Sequence, residues 1–416
     1  MKKKIWIINH YASDMLDQRG GRHYWFAKYL KRMGYEPIIF CSNALHNTKA
    51  EKVFDNDNLW NEKNAEEINV SFVFVKTRAY IGNGKQRILN MIDFYMNVRK
   101  VAKEYASIDG APDVIYASSA HPLTVVAGIK LAKHFGVKCI CEVRDLWPES
   151  IVAYGIAGPH NPAVVALRIL EKWMYLKSAA VVFTMENAYA YIEEQGWSND
   201  IPRSKVFYIN NGVDLEQFNF DKEHYQIHDE DLTNPDIFKV VYTGSIRKVN
   251  NLGLILDSAK LVKNKKVKFL IWGDGDELDM LKKRVHSENI LNVMFNGRVE
   301  KKFIPYIVSL ADLNFAHCQS TYIDKYGISF NKLFDYMAAG KPVLCDFPCK
   351  YNPAISEGCG VDIGNSVPVT ITSKIDYLSK LKEDDYKTYC DNALKAAKKY
   401  DFKKLTEDLV DIITKV

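Results

Sequence analysis

No apolar run in this 416-residue sequence approaches the ~20 residues that a membrane-spanning helix needs. Met1-Lys2-Lys3-Lys4 ahead of Ile5-Trp6-Ile7-Ile8 imitates a signal peptide. The run stops at Asn9-His10, too soon for a signal core, and reads instead as a first buried strand. The eight cysteines lack a disulfide-scaffold rhythm: Cys139 and Cys141 would share one face of a strand, and Cys345 and Cys349 flank a Phe-Pro turn without a partner at zinc spacing. A reducing, cytoplasmic setting and no structural metal are expected. Repeats and low-complexity segments are missing too. So is a G-x-G-x-x-G fingerprint after the first strand, which argues against a nicotinamide enzyme, and no other cofactor is implied. Neither sign of charge dominates. The net +5 suits a phosphorylated ligand or an anionic membrane surface and does not imply nucleic acid.

What is present is alternation. Short apolar runs predict strands at Ile5–Ile8, Glu36–Phe40, Ser71–Val75, Val114–Tyr116, Lys138–Val143, Ala179–Thr184 and Val206–Ile209. Amphipathic stretches between them predict helices, clearest at Tyr24–Met33, Pro122–Phe135 and Val164–Leu176. After Asn211-Gly212-Val213-Asp214, the polar segment Asp221–Pro235 reads as a linker or a surface excursion, and the alternation restarts at Lys239–Thr243. The expected fold class is α/β, two doubly wound Rossmann-like domains over 1–213 and 214–399, with ligands at the strand C-termini, facing an interdomain crevice.

Several loops at predicted strand ends carry chemistry. Gly20-Gly21 precedes a helix, either as an ordinary tight turn or as an anion or sugar site. Ser118-Ser119-Ala120-His121 and Arg144-Asp145-Leu146-Trp147 follow neighbouring strands, so their ionisable groups would converge. Gly244-Ser245-Ile246-Arg247-Lys248 offers two cations at a βα turn, fitting a diphosphate or a merely solvated loop. In Tyr326–Val343 a glycine-bearing loop enters a helix that carries Asp335 one turn past Asn331, and Gly340-Lys341-Pro342 ends it.

This last run resembles the E-x7-E region of the retaining family 4 glycosyltransferases of GT-B fold, with Asp335 in place of the second Glu. Other segments match in order: Gly20-Gly21, Asn211-Gly212-Val213-Asp214 with Phe218, Gly273-Asp274-Gly275-Asp276-Glu277, and Gly297-Arg298-Val299. Ser119–Thr124, Arg144–Glu149 and Ser329–Leu333 look most like the branch that assembles bacterial capsule and O-antigen on a lipid carrier. The resemblance implies a nucleotide-sugar donor, UDP-linked, in the C-terminal half and a lipid-linked or saccharide acceptor in the N-terminal half. It implies hexosyl or N-acetylhexosaminyl transfer without metal, and a closing helix over about 400–416 that crosses back to the first domain. Donor contacts would come from Gly20, Gly21, Gly244, Arg298, Val299, Gly327, Ile328, Ser329, Asn331, Lys332 and Asp335, with Asp335 on the ribose and the Arg298–Val299 backbone on the base. His121 and Asp145 would line the acceptor side with Arg144 and Trp147, and Arg247 and Lys248 would stabilise the leaving diphosphate.

Two departures stand out. The first Glu of E-x7-E is Gly327, and the family's usual phosphate-binding Arg and Lys fall on Ser245 and Asn250. They keep two rivals open, an epimerase of the same fold and a non-catalytic nucleotide-sugar-binding paralogue. The Asp274-Gly275-Asp276 turn imitates a D-x-D metal site but is assigned none. Lys76–Lys103 interleaves Arg78, Lys85, Arg87, Arg99 and Lys100 with aromatic and aliphatic residues, as a peripheral contact at the inner face of the cell membrane or a packed helix with a basic face would.

Overall fold

The computed structural model describes residues 3–52 and 58–416, so Met1 and Lys2 of the basic start lie outside the described residues. The chain divides into two compact units. One holds 1–210 with 402–416, and the other holds 211–401.

In the first unit the strands are β1 (Lys4–Ile8), β2 (Glu36–Ser42), β3 (Trp60–Ala65), β4 (Val70–Val75), β5 (Val114–Ser118), β6 (Lys138–Val143), β7 (Ala180–Phe183) and β8 (Val206–Tyr208). Helices α1 (Arg22–Arg32), α2 (Lys85–Asp109), α3 (Pro122–Phe135), α4 (Trp147–Ala153), α5 (Pro162–Lys177) and α6 (Ala188–Glu194) connect them. The sheet order is β3-β4-β2-β1-β5-β6-β7-β8, parallel except for β3 against β4. Strand order reverses between β1 and β5, so the C-terminal ends of those two strands flank the switch point where such sheets bind ligands. Parallel strands buried on both faces need continuous apolar runs, and Ile5, Trp6, Ile7 and Ile8 are all fully buried.

The second unit carries α7 (Leu215–His224), α8 (Glu230–Thr233), β9 (Phe238–Thr243), α9 (Gly253–Leu261), β10 (Val267–Trp272), α10 (Leu278–Ser287) and β11 (Val293–Gly297). It continues through α11 (Ile304–Leu310), β12 (Leu313–Ala316), α12 (Asn331–Ala338), β13 (Val343–Cys345), α13 (Pro353–Ser356), β14 (Gly360–Asp362), α14 (Pro368–Leu378) and α15 (Glu383–Lys399). Its parallel sheet runs β11-β10-β9-β12-β13-β14, with the reversal between β9 and β12. The last helix, α16 (Phe402–Lys415), belongs to the first unit. There Phe402 meets Phe26 of α1 edge to face, with ring centroids 5.6 Å apart.

Two expectations need correcting. The segment 221–235 is no linker: its first residues complete α7, and α8 follows. Asp214 caps α7 by accepting from the Gln217 amide at 2.7 Å, Phe218 and Leu232 are buried, and Asp231 pairs with Lys268. Polar composition hid these helices because each buries little more than one apolar side chain. The strand β3 was not expected at all. Trp60-Asn61-Glu62-Lys63-Asn64-Ala65 is polar because it is an edge strand, where charge blocks further pairing.

Candidate functional site

The second unit's switch point is built on glycines. Gly244, just after β9, has φ +147, and its amide bonds to the Trp272 carbonyl at 3.0 Å. A side chain at Gly273 would strike the Gly244 carbonyl at 1.8 Å, and one at Gly275 would strike the Ile246 carbonyl at 2.1 Å. The Gly273-Asp274-Gly275 turn is therefore a backbone seat for the Gly244–Ile246 loop, closed by the Ile246 amide on the Asp274 carbonyl at 2.9 Å. The Asp274 carboxylate accepts from the neighbouring Gly275 amide at 2.8 Å.

Helix α12 packs its polar face on this loop. The Tyr336 hydroxyl accepts from the Thr243 amide at 2.9 Å, and one turn earlier the Lys332 ammonium lies 4.1 Å from the centre of the Tyr242 ring. A Cβ on Gly244 would sit 3.2 Å from that ammonium, so glycine here leaves the lysine its place. Burial lowers the Lys332 pKa. Asp335, three residues on, has no hydrogen-bond or ion-pair partner among the described residues. Burial pushes its carboxyl up to about 6 against the weaker pull of Lys301.

Other expected donor residues scatter around this core. Gly327 is buried with φ +119, a backbone state that disfavours the Glu of related sequences. Ile328 is buried, and Asn331 opens α12 exposed. Ser329 is occupied locally: its hydroxyl accepts from the Asn211 amide at 3.2 Å and its carbonyl from the Asn211 side chain at 2.8 Å. Gly297 has φ +78, followed by exposed Arg298 and half-buried Val299. Arg247 and Lys248 are both exposed on the loop, where the Asn250 side chain bonds to Ser245.

In the first unit, His121 lies inside the protein. Its Nε2 is 2.6 Å from Nδ1 of His10, which follows β1, and 3.2 Å from the Thr124 hydroxyl. The rings span the switch point between β1 and β5. Burial pushes His121 down to about 3 and holds His10 well below the usual imidazole value, so both are neutral and share one proton along their hydrogen bond. Asp145 is exposed, Arg144 half-buried, and the Trp147 indole donates to the Ala120 carbonyl at 3.2 Å. A small cavity beside them is lined by Ser119, Asp145, Trp147, Leu167 and Glu171. Glu171 accepts from Tyr175 and Tyr191, and burial pushes it up to about 7.

Gly20 and Gly21 lead into α1, with Gly21 at φ +112 as its N-cap. The next two residues enter a network that sequence reasoning missed. Glu142, buried on β6, accepts from Arg22 Nε at 2.5 Å, His23 Nε2 at 2.8 Å and the Tyr116 hydroxyl at 2.6 Å. Burial raises the Glu142 pKa, but Arg22 and His23 outweigh it and hold the carboxyl well below its usual range. Arg22 also donates to the carbonyls of Ile209 and Asn210. A glutamate inside an apolar run, with basic residues after the first glycine loop, was the available signal.

Comparison with known proteins decides the family. The model described as Glycosyltransferase Family 4 matches residues 24–217, and that of Glycosyl transferases group 1 matches 225–399. The chain belongs to the family 4 glycosyltransferases. It is 26% identical to a probable glycosyltransferase, WbjE, of Pseudomonas aeruginosa over 280 residues, 65% of this chain and 66% of that protein. The chain thus spans just under two thirds of that relative's length. The fold of this glycosyltransferase is also that of sucrose-phosphate synthase from Thermosynechococcus elongatus, at TM-score 0.73 and 14% identity over 100% of this chain and 99% of that one. Anabaena Alr3699/HepE, solved in complex with UDP, gives TM-score 0.66 at 13% identity over all of both chains. These neighbours are GT-B enzymes, and the glycosyltransferase has that α/β architecture of two Rossmann-like domains. Among the described residues, no helix is long and apolar enough to cross a membrane.

Proposed function

We propose that this glycosyltransferase binds a nucleoside-diphosphate sugar, UDP-linked, in its second unit and transfers the sugar with retention to a lipid-linked or saccharide acceptor held by the first. The single observation that carries the reading is Asp335. It is an unpaired carboxylate beside the second switch point, and ribose hydroxyls would satisfy it. Support comes from Alr3699/HepE, which was solved with UDP and with UDP-glucose. The likeness to WbjE, a probable glycosyltransferase, supports sugar transfer, and the resemblance of the loops around His121, Arg144 and Ser329 favours hexosyl or N-acetylhexosaminyl transfer in surface polysaccharide assembly.

In this reading the acceptor oxygen bonds to the anomeric carbon as the bond from that carbon to the phosphate oxygen breaks. The electron pair stays on the diphosphate, and the hydroxyl proton passes to a leaving phosphate oxygen. The protein positions the reactants and stabilises charge; it supplies no nucleophile. In the second unit Gly244, the Ser329–Asn331 entry to α12 and the Arg298–Val299 backbone would frame the donor, with Arg247 and Lys248 as outer cations, and in the first unit the Gly20-Gly21 turn would be a sugar-binding loop. Asp145 would orient the acceptor hydroxyl beside Arg144 and Trp147. Neutral, buried His121 would fix that loop from within. The exposed Ile88, Ile92 and Met96 recur every fourth residue on α2, beside Lys85 and Lys100, and would rest on an anionic membrane face.

Asp335→Ala tests the assignment. UDP affinity measured by calorimetry should fall by roughly 1–3 kcal/mol, the scale of a hydrogen bond to a charged group. Unchanged affinity in a folded variant would refute it.

A further inference from the structure

Lys332 occupies a place that is unfavourable for a cation on three counts. It is the second residue of α12, at the helix end where the backbone dipole is positive and repels an ammonium. It is desolvated enough to lower its pKa. And no carboxylate, carbonyl or hydroxyl among the described residues accepts a hydrogen bond from it: the ammonium lies over the face of Tyr242, and Tyr336, Cys318 and the Asp346 carboxylate act on it only at longer range, too weakly to offset its burial. The helix also offers an obvious remedy that is not taken. Asp335 stands at i+3, the spacing of a helical ion pair, yet the two do not meet. Two opposite charges one turn apart on an eight-residue helix are both left without a partner. An anion seated against the Lys332 ammonium beside the Gly244 loop offsets all three penalties at once.

We infer that Lys332, reaching from α12 into the space kept open by Gly244, is the cation that binds the donor diphosphate and takes up its charge as the sugar leaves. The inference rests on the donor reading above and sharpens it. The family's cations on the β9 loop are absent here, at Ser245 and Asn250, and the exposed Arg247 and Lys248 reach solvent where their charge is screened. Lys332 brings its charge from the opposite side of the same loop, at the switch point between β9 and β12 where both strands end. Because the bond from the anomeric carbon to the phosphate oxygen breaks with its electron pair left on the diphosphate, the ammonium meets a charge that grows along the reaction. Its effect therefore falls on kcat as well as on binding.

The test compares ligands with and without the diphosphate. Wild type, Lys332→Met and Asp335→Asn are titrated calorimetrically with UDP, GDP and ADP, then with the nucleoside of the tightest binder. Lys332→Met should weaken the diphosphate by roughly 10- to 100-fold and leave the nucleoside within about twofold, whereas Asp335→Asn should weaken both alike. Gly244→Ala, whose methyl would crowd the ammonium, should lower diphosphate affinity several-fold in a chain that keeps Lys332. Wild-type affinity for the diphosphate should also decline as alkaline pH neutralises a lysine of lowered pKa, and Lys332→Arg should move that decline to higher pH. If the wild type binds a nucleoside diphosphate and folded Lys332→Met binds it within twofold, the inference falls and the donor reading stands. If none of the three diphosphates binds the wild type, both fall.

Discussion

The two switch points of this chain treat the polar groups they withdraw from water in opposite ways. In the first unit the buried charges are paired: Glu142 takes three donors and Arg22 divides itself between that carboxylate and two carbonyls, while His10 and His121 stay neutral and hydrogen-bond to each other, with Nδ1 of His121 left without a partner. In the second, Lys332 and Asp335 are left bare beside a glycine loop. A satisfied network makes a stiff frame. Unsatisfied charges cost stability that a ligand of the opposite character restores. On the proposed reading, the contrast separates a unit that fixes its own loops from one whose charges wait on a ligand.

The largest expected effect comes from breaking the frame. Glu142→Ala strands the buried guanidinium of Arg22 and should destabilise the first unit by about 3–5 kcal/mol in urea unfolding followed by Trp fluorescence. A loss below about 1 kcal/mol would mean that the network is ornamental and the contrast empty.

The pH dependence of stability should split the units next. His121 has its pKa lowered to about 3, so the unfolded chain takes up protons first, and stability falls as pH drops from about 6.5 toward 3, by roughly 5 kcal/mol at full extent. Asp335 has its pKa raised to about 6, so its contribution has the other sign. The protein is relieved of a partly buried charge below about 4 and bears it fully above 6. His121→Gln should flatten the acid limb. Asp335→Asn should stabilise the ligand-free protein by about 1–3 kcal/mol at pH 7.5 and by almost nothing at pH 4. Melting curves of both variants from pH 4 to 8 check this, and a pH-independent gain for Asp335→Asn would sink the claim that the carboxylate is held at a cost.

The smallest effect belongs to the exposed cations. Arg247→Ala and Lys248→Ala remove charges that water already screens, and each should lower kcat by less than about tenfold, well short of Lys332→Met. Steady-state kinetics with donor varied would rank the three. A larger loss at Arg247 would move the diphosphate to the solvent side of the loop.

Much of this was legible in the residues alone. Apolar runs alternating with amphipathic stretches are forced by strands buried on both faces, so the helix Pro122–Phe135 and nearly every central strand lie where the pattern puts them. The glycine turns were legible as well, since only glycine tolerates the φ of Gly244 or the approach at Gly273. The edges were not: β3 and β14 have few apolar neighbours to impose a period, and α7 and α8 bury too little to show one. Nor was the state of each polar group. Glu142 and Arg22 are 120 residues apart, and nothing local distinguishes their pairing from the solitude of Lys332 and Asp335. Local sequence determined the two doubly wound sheets and the loops at their ends, because period and backbone sterics act over a few residues. Which charges meet and which are left for a ligand was decided only by the fold, because a hydrogen bond depends on distance in space.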